Sequence, residues 1–349
     1  LEDGSNVIVS HMDSPRLDVV QGNPIVEEED GVFVKTVPYG GIINQLYLDR
    51  PLVLVGRVYN DDGELIQINT KEQGYFFNVT SLLPHLRGRQ EVKDLTYDKL
   101  RVRIGNSKED NIFEIIKKEY GITKENLEFA ELSFVPYGNV MDMGFDKDLM
   151  MGYAHDDLCC TFANLEAMIS SEPSNITKIA LFVSYEETGS NQLTGAITQF
   201  IDDIYLKLAE GDILLARECI TATKLISADV CAGYDSTYSS HFESSAKAVC
   251  GKGVTIVPIL GNKRGNDSTI QMKHYIKTLC KEHDIDYQVE FTKPSEGGGG
   301  TVSSFFATRG MECIDVAIPT LSMHSPSECI SKHDIYEAYR LYKVFLESN

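Results

Sequence analysis

Two rhythms of apolar positions divide this 349-residue chain. Between about residues 19 and 146 the rhythm is short and β-like. Gly31-Val-Phe-Val-Lys-Thr-Val37 and Pro51-Leu-Val-Leu-Val-Gly-Arg-Val58 are rich in β-branched residues, and Asn60-Asp-Asp-Gly63 follows the second as a hairpin signal. The pattern predicts an antiparallel, barrel-like β unit broken by one helix near Asn111–Tyr120. From about residue 147 strands and helices alternate. Asp157–Ser170 reads as a helix with Leu158, Phe162, Leu165 and Met168 or Ile169 on one face. Ile179–Glu187 reads as a strand, and Gln192–Leu208 as a helix with Gly189-Ser190 at its entrance. Lys224–Asp229, Val254–Ile259, Tyr287–Phe291 and Glu312–Ile318 complete the strands. Helices are predicted over Asp267–His283, capped by Asp267 or Ser268, over about 301–308, and over Ile335–Leu346.

That alternation predicts an α/β class chain: a three-layer α/β/α sandwich with an inserted β-rich, barrel-like domain. Val7-Ile-Val9 becomes an early strand of the sandwich sheet, separated from the rest by the insertion. The expected division is residues 1–18 with 147–349 as one domain and 19–146 as the other. Because the chain opens almost directly on that strand, upstream residues are expected to be missing from it.

Composition changes this picture little. The balance of 42% hydrophobic and 24% charged residues is ordinary for a globular protein. A formal net charge of −20, with no basic stripe, argues against nucleic acid or an anionic membrane as partner. No apolar run is long enough to span a bilayer, and no signal peptide is visible. The eight cysteines include the pair Cys159-Cys160 and no CxxC, which fits buried thiols in a reducing, cytosolic setting.

The chemistry lies in five short segments: His11-Met-Asp13-Ser-Pro15, His155-Asp156-Asp157, Tyr185-Glu186-Glu187-Thr-Gly-Ser190, Ser227-Ala-Asp229 and Met323-His324-Ser325. Four of them follow or adjoin an apolar run, which puts metal-friendly side chains at strand ends of one sheet. Taken singly, each has a plainer alternative: a surface pair for His11 and Asp13, a helix cap for Asp156 or Asp229, a loop histidine for His324. Two adjacent carboxylates after Met-Met-Gly-Tyr-Ala exceed what capping needs: one of Asp156 and Asp157 suits bridging two cations and the other capping or support, and spacing does not choose between them. Glu186 and Glu187, at the tip of an apolar strand, repel each other unless a cation or a proton separates them. One metal ligand and one general base is the division of labour that suits them.

These motifs together resemble the M18 family of metalloaminopeptidases, the aspartyl aminopeptidase family. The likeness extends through Tyr39-Gly-Gly-Ile42, Pro84-His85-Leu86 and Gly251-Lys252-Gly253, so it covers essentially the whole chain. It implies that His11 and Asp229 hold one metal, that Glu187 and His324 hold the other, and that Asp156 bridges them. It makes Glu186 the general base, with Asp13 supporting the first site. It implies two divalent ions, with Zn2+ the default and Co2+ or Mn2+ able to fill similar sites. The implied reaction is removal of an N-terminal residue, acidic or alternatively neutral, from a peptide substrate. The resemblance makes the insertion a dimerisation domain within a tetrahedral dodecamer. His85 matches a position that reaches a neighbouring subunit's active site, and Lys252 a substrate-pocket lysine. Two departures bear on the surroundings of the metals: Tyr185 precedes Glu186-Glu187 where family members often carry Asp-Asn, and Leu158 follows Asp156-Asp157 where many have Arg. The competing expectations are a different di-metal aminopeptidase or deacylase on the same sheet, and a catalytically silent oligomeric scaffold.

Overall fold

The computed structural model describes residues 3–83, 85, 95–258, 267–291, 293 and 300–348. In chain order the elements are β1 (Ser5–His11), β2 (Arg16–Val19), β3 (Ile25–Glu28), β4 (Gly31–Tyr39), β5 (Leu52–Tyr59), β6 (Leu65–Asn69), β7 (Arg101–Gly105), α1 (Glu109–Tyr120), β8 (Glu131–Pro136), β9 (Met141–Met143) and β10 (Leu149–Gly152). They continue as α2 (His155–Ser170), β11 (Thr177–Val183), α3 (Phe200–Leu208), α4 (Ile213–Thr221), β12 (Lys224–Ala232), β13 (Val254–Val257), α5 (Ile270–Glu282), β14 (Tyr287–Val289), α6 (Ser303–Ala307), β15 (Glu312–Leu321), β16 (Glu328–Ser331) and α7 (Lys332–Glu347). Two compact units emerge. One comprises Leu1–Ser14, Val140–Met323 and Ser327–Asn349; the other comprises Pro15–Asn139 with His324–Pro326.

In the first unit one sheet runs β11-β1-β12-β15-β16-β10-β9, with β13 and β14 branching from β15. Strands β11, β1, β12 and β15 are parallel. Their continuous apolar runs split by residue parity, because successive strand side chains point to opposite faces. Ile8, Ile226 and Ile314 pack with Ala163 of α2, Ile276 of α5 and Leu341 of α7. Val7, Val9, Leu225 and Cys313 pack instead with Ile201 of α3, Ile220 of α4 and Phe306 of α6. Helices therefore cover both faces, giving the α/β/α sandwich. Truncating a fully buried side chain such as Ile8 to Ala costs about 2–5 kcal/mol.

In the second unit β2, β4, β5, β7 and β8 pair antiparallel in the circuit β7-β4-β2-β8-β5. Phe77 bridges Leu52 of β5 and Asn78 bridges Arg103 of β7, which closes the circuit and removes two sheet edges. Asn60–Gly63 makes the β5–β6 hairpin turn, with Gly63 at φ 78°. Helix α1 lays Ile112, Phe113 and Ile116 on the barrel core.

Several elements differ from the sequence expectation. The segment after Gly189-Ser190 does not enter a helix until Phe200. Ser184 N–H bonds the Thr194 carbonyl and Ile197 N–H the Ser190 carbonyl, so the intervening residues fold back over the strand end. Gly195 permits this, since a Cβ there would lie 2.2 Å from the Ser190 oxygen. Helix α4 has no counterpart in the periodicity reading; Asp212 caps it through the N–H groups of Leu214 and Leu215. Thr269, in place of Asp267 or Ser268, caps α5 through Met272 N–H. On α2, Leu158, Phe162, Leu165 and Ile169 form an exposed apolar face, whereas Cys159, Cys160, Ala163 and Ala167 meet the sheet. Small residues win that face because they let the helix approach closely. Of the run Gly297–Gly300, only Gly300 lies within the described residues. No helix among the described residues is long and apolar enough to cross a membrane.

Candidate metal centre

Strand β1 ends on His11, which is 2% exposed, and β11 and β12 lie on either side of it. The His11 Nδ1–H donates to the Asp13 carbonyl at 3.0 Å, which leaves Nε2 as the atom that carries a proton toward the carboxylates or, once deprotonated, binds a metal. That Nε2 faces Asp156 Oδ1 at 3.2 Å and Asp229 Oδ1 at 3.6 Å. One ligand atom each from His11, Asp156 and Glu187 lie within 4.8 Å of one another, and the same holds for His11, Asp157 and Asp229.

Asp13 does more than accompany His11. Its two carboxylate oxygens accept the N–H groups of Glu186 and Glu187, both at 3.2 Å. Those glutamates form a single 3-10 turn between Tyr185 at φ 64° and Gly189 at φ 97°. The left-handed residues at both ends swing the chain out of the strand direction, and Asp13 fixes where the turn points.

Asp156 and Asp157 open α2 with non-helical backbone angles, and the peptide between them is cis. Asp156 is held by its backbone: its N–H donates to Glu328 Oε2 at 2.9 Å and its carbonyl accepts Ser14 Oγ–H at 2.8 Å. Asp157 turns inward, and its Oδ2 accepts the His11 N–H at 3.0 Å. Thr161 Oγ1–H to the His11 carbonyl and Asn164 Nδ2–H to the Ile8 carbonyl fasten α2 along β1. Glu328 and Ser14 were not picked out from the sequence. Ser14 stands within the His11 segment, and Glu328 lies four residues past His324.

The electrostatics are those of crowded acids. Burial, then the charge of Asp229, push the Glu186 carboxyl up to about 8, with Asp156 and Asp13 adding and His11 opposing. Burial also raises Asp229, which His11 partly offsets, and raises Asp157 well above the carboxylate range. Burial pulls His11 down, but its bonds to Asp13, Asp156 and Asp229 outweigh that and hold it well above an ordinary histidine. A cation relieves all four at once. The donor set of imidazole nitrogen and carboxylate oxygens is one that zinc accepts, so these residues fit a metal.

The remaining candidates fall elsewhere. The His324 Nδ1–H donates to the Gly41 carbonyl at 2.8 Å, within the second unit, which places its lone pair on Nε2. His85 is exposed, and its neighbours Pro84 and Leu86 lie outside the described residues. Lys252 is exposed in the turn before β13.

Comparison with known proteins identifies the family. The family model for aminopeptidase I zinc metalloproteases (M18) matches residues 1–346. A probable M18 family aminopeptidase 1 of Borreliella burgdorferi is 36% identical over 372 residues, covering 99% of this chain and 81% of that protein. The crystal structure of an M18 aminopeptidase from Thermotoga maritima superposes with a TM-score of 0.95 at 32% identity, over 100% of this chain and 82% of that one. Aminopeptidase I from Clostridium acetobutylicum gives 0.92 at 30%, over 99% and 80%. The chain belongs to the M18 family and is a zinc metalloaminopeptidase, a hydrolase of peptide bonds.

Proposed function

We propose that this chain removes a single N-terminal residue, acidic by preference, from peptides. Two divalent cations, Zn2+ by default, would be held by His11 and Asp229, by Glu187 and His324, and by Asp156 between them. The observation that carries the reading is the convergence of His11 Nε2 on Asp156 and Asp229 beside a Glu186-Glu187 turn clamped by Asp13. When bound, the cations supply the positive charge that polarises a scissile carbonyl and acidifies a water. Glu186, kept from ionising by burial and then by its acidic neighbours, becomes a competent base once a cation offsets both. It takes the proton of the attacking water and returns it to the leaving amine. Asp13 holds Glu186 at the correct reach, Asp157 holds His11 by its backbone, and Lys252 meets the acidic side chain of the residue removed.

The Pro15–Asn139 unit would serve as the dimerisation module, presenting His85 to a neighbouring active site. A homo-oligomer, up to a tetrahedral dodecamer, fits the exposed apolar face of α2. The S. cerevisiae mApe1 structure, described as a dodecamer, has this fold at 19% identity. A cytosolic location suits the eight cysteines, among which no disulfide forms.

The test is a turnover series of aspartyl, glutamyl, leucyl and lysyl amides on metal-free protein titrated with Zn2+, Mn2+ or Co2+. The reading expects two equivalents of metal for full activity and fastest release of the acidic residues. Saturation at one equivalent defeats the two-cation reading. Equal rates for all four amides defeat the substrate preference.

A further inference from the structure

The turn carrying Lys252 is held by a device the family reading leaves unassigned. Asp334, fully buried in the first turn of α7, accepts Gly251 N–H on Oδ2 and Gly253 N–H on Oδ1, each at 2.7 Å. The turn needs such fixing. Gly251 and Gly253 sit at φ 82° and 90°, and a Cβ on Gly253 would lie 2.0 Å from the Asp286 carbonyl oxygen. Gln288 of β14 holds the other side, its amide oxygen accepting Val249 N–H and its NH2 donating to the Val249 and Gly253 carbonyls. Lys252 is exposed between these anchors, and no carboxylate among the described residues pairs with it.

Sheet register shows where the turn lies. Asp229 of β12 is opposite Ala317 of β15, and Ala317 is opposite Thr255 of β13. Lys252 therefore leaves the sheet at the carboxyl edge of the parallel strands, the edge that carries His11 and Asp229. Thr255 is level with Asp229 about two strand spacings, roughly 10 Å, away, and Lys252 lies three residues, roughly another 10 Å, beyond that level on the outer side of the edge.

We propose that Asp334 is a positioning residue for substrate selection: its carboxylate fixes the Gly251–Gly253 turn so that the Lys252 ammonium meets the acidic side chain of the N-terminal residue. This rests on the reading of Lys252 as a substrate contact. An ionised carboxylate can accept both N–H groups; once protonated, one oxygen becomes a donor and one bond is lost. The groups facing Asp334 are His333 and Glu337 on α7, the Ser331 hydroxyl, the Cys250 thiol, the two glycine N–H groups and the neutral Gln288 amide. Burial pushes Asp334 up to about 6, against the two glycine N–H bonds and His333, while Glu337 adds to the rise. The clamp should therefore loosen on the acid side of neutrality.

The experiment measures kcat/KM for an aspartyl and a leucyl amide on zinc-loaded enzyme between pH 5.5 and 8, for the unaltered chain, Asp334→Asn and Lys252→Ala. The ratio of the two substrates cancels pH effects they share at the metals and Glu186. For the unaltered enzyme it is expected to rise through about pH 6. At pH 7.5 Asp334→Asn lowers the ratio about tenfold, mainly through the aspartyl KM, and flattens its pH step. If Asp334→Asn slows both substrates equally, or keeps the pH step, Asp334 has only a structural role and the proposal is overturned. If Lys252→Ala leaves the ratio unchanged, the Lys252 reading falls and this one with it. If Lys252→Ala collapses the ratio while Asp334→Asn does not, only the present inference fails. Should Asp334→Asn not fold, the pH course of the ratio in the unaltered enzyme decides: a flat course overturns the proposal.

Discussion

Two carboxylates in this molecule do the same mechanical job among different neighbours. Asp13 accepts two successive backbone N–H groups of the Glu186-Glu187 turn, and Asp334 accepts two from the Lys252 turn. Asp13 works among Asp156, Asp229 and Glu186, where burial and mutual repulsion drive carboxyls toward their neutral forms. Burial raises Asp334 as well, but two glycine N–H groups and His333 oppose that rise and a single acid, Glu337, adds to it. The first clamp shapes a loop whose charges call for a cation; the second shapes a loop that offers one. Bidentate acceptance of backbone N–H groups is thus a way to fix a loop, and the surrounding charge decides what the loop is for.

The comparison breaks most visibly at Glu186. Glu186→Gln is expected to cut kcat by about 10²–10⁴ with KM and metal content little changed, as single-turnover assays and metal analysis would register. Near-full activity would falsify its role as base. Asp13→Ala should leave the ligands in place but free the glutamate turn. A loss in kcat of about 10–100-fold, with weaker metal retention, is expected in a zinc-buffered assay. An intact kcat would mean that Tyr185 and Gly189 fix the turn without help.

Metal removal sharpens the contrast through pH. Glu186 and Asp315 are raised to about 8 and about 7 in the folded chain, and His11 is raised as well. A folded state that binds more protons than the unfolded one loses stability as pH rises. The metal-free protein should therefore melt several degrees lower at pH 8 than at pH 5.5, and Zn2+ should restore most of the difference at pH 8. A melting temperature that rises with pH in the metal-free protein contradicts the charge picture. The smallest effect is expected at Arg57–Glu131, an exposed pair on the barrel whose partners are each 60% exposed. Replacing both by Ala should move stability by less than about 1 kcal/mol in denaturant titrations.

Much of the site was legible because its signals are local. His11 ends β1 and the Glu186-Glu187 pair follows close on β11, as their apolar runs suggest, whereas Asp229, expected at a strand end, lies inside β12, which continues to Ala232. The Asn60–Gly63 hairpin was legible for the same reason. The clamps were not. Asp13 and Glu186 are 173 positions apart, and Asp334 lies 83 positions from Gly251. No pattern along the chain pairs them. Glu328, which anchors Asp156 by its N–H, is 172 positions away and resembles any loop glutamate. The apolar face of α2 was read correctly as one face, but its exposure was not legible for a related reason: periodicity identifies an apolar stripe without saying what covers it. The 192–199 segment has helical spacing, but the strand end it folds over took its backbone hydrogen bonds.

By itself the sequence determined the fold class, the alternation of strand and helix, and which residue types stand in the candidate site. Those depend on short-range periodicity and on residue type. Tertiary structure alone decided which side of α2 meets the sheet, which carboxylate steers the glutamate turn and which holds the lysine turn. Those choices depend on steric approach and on hydrogen bonds closed across more than 80 residues, which only the folded sheet brings within reach.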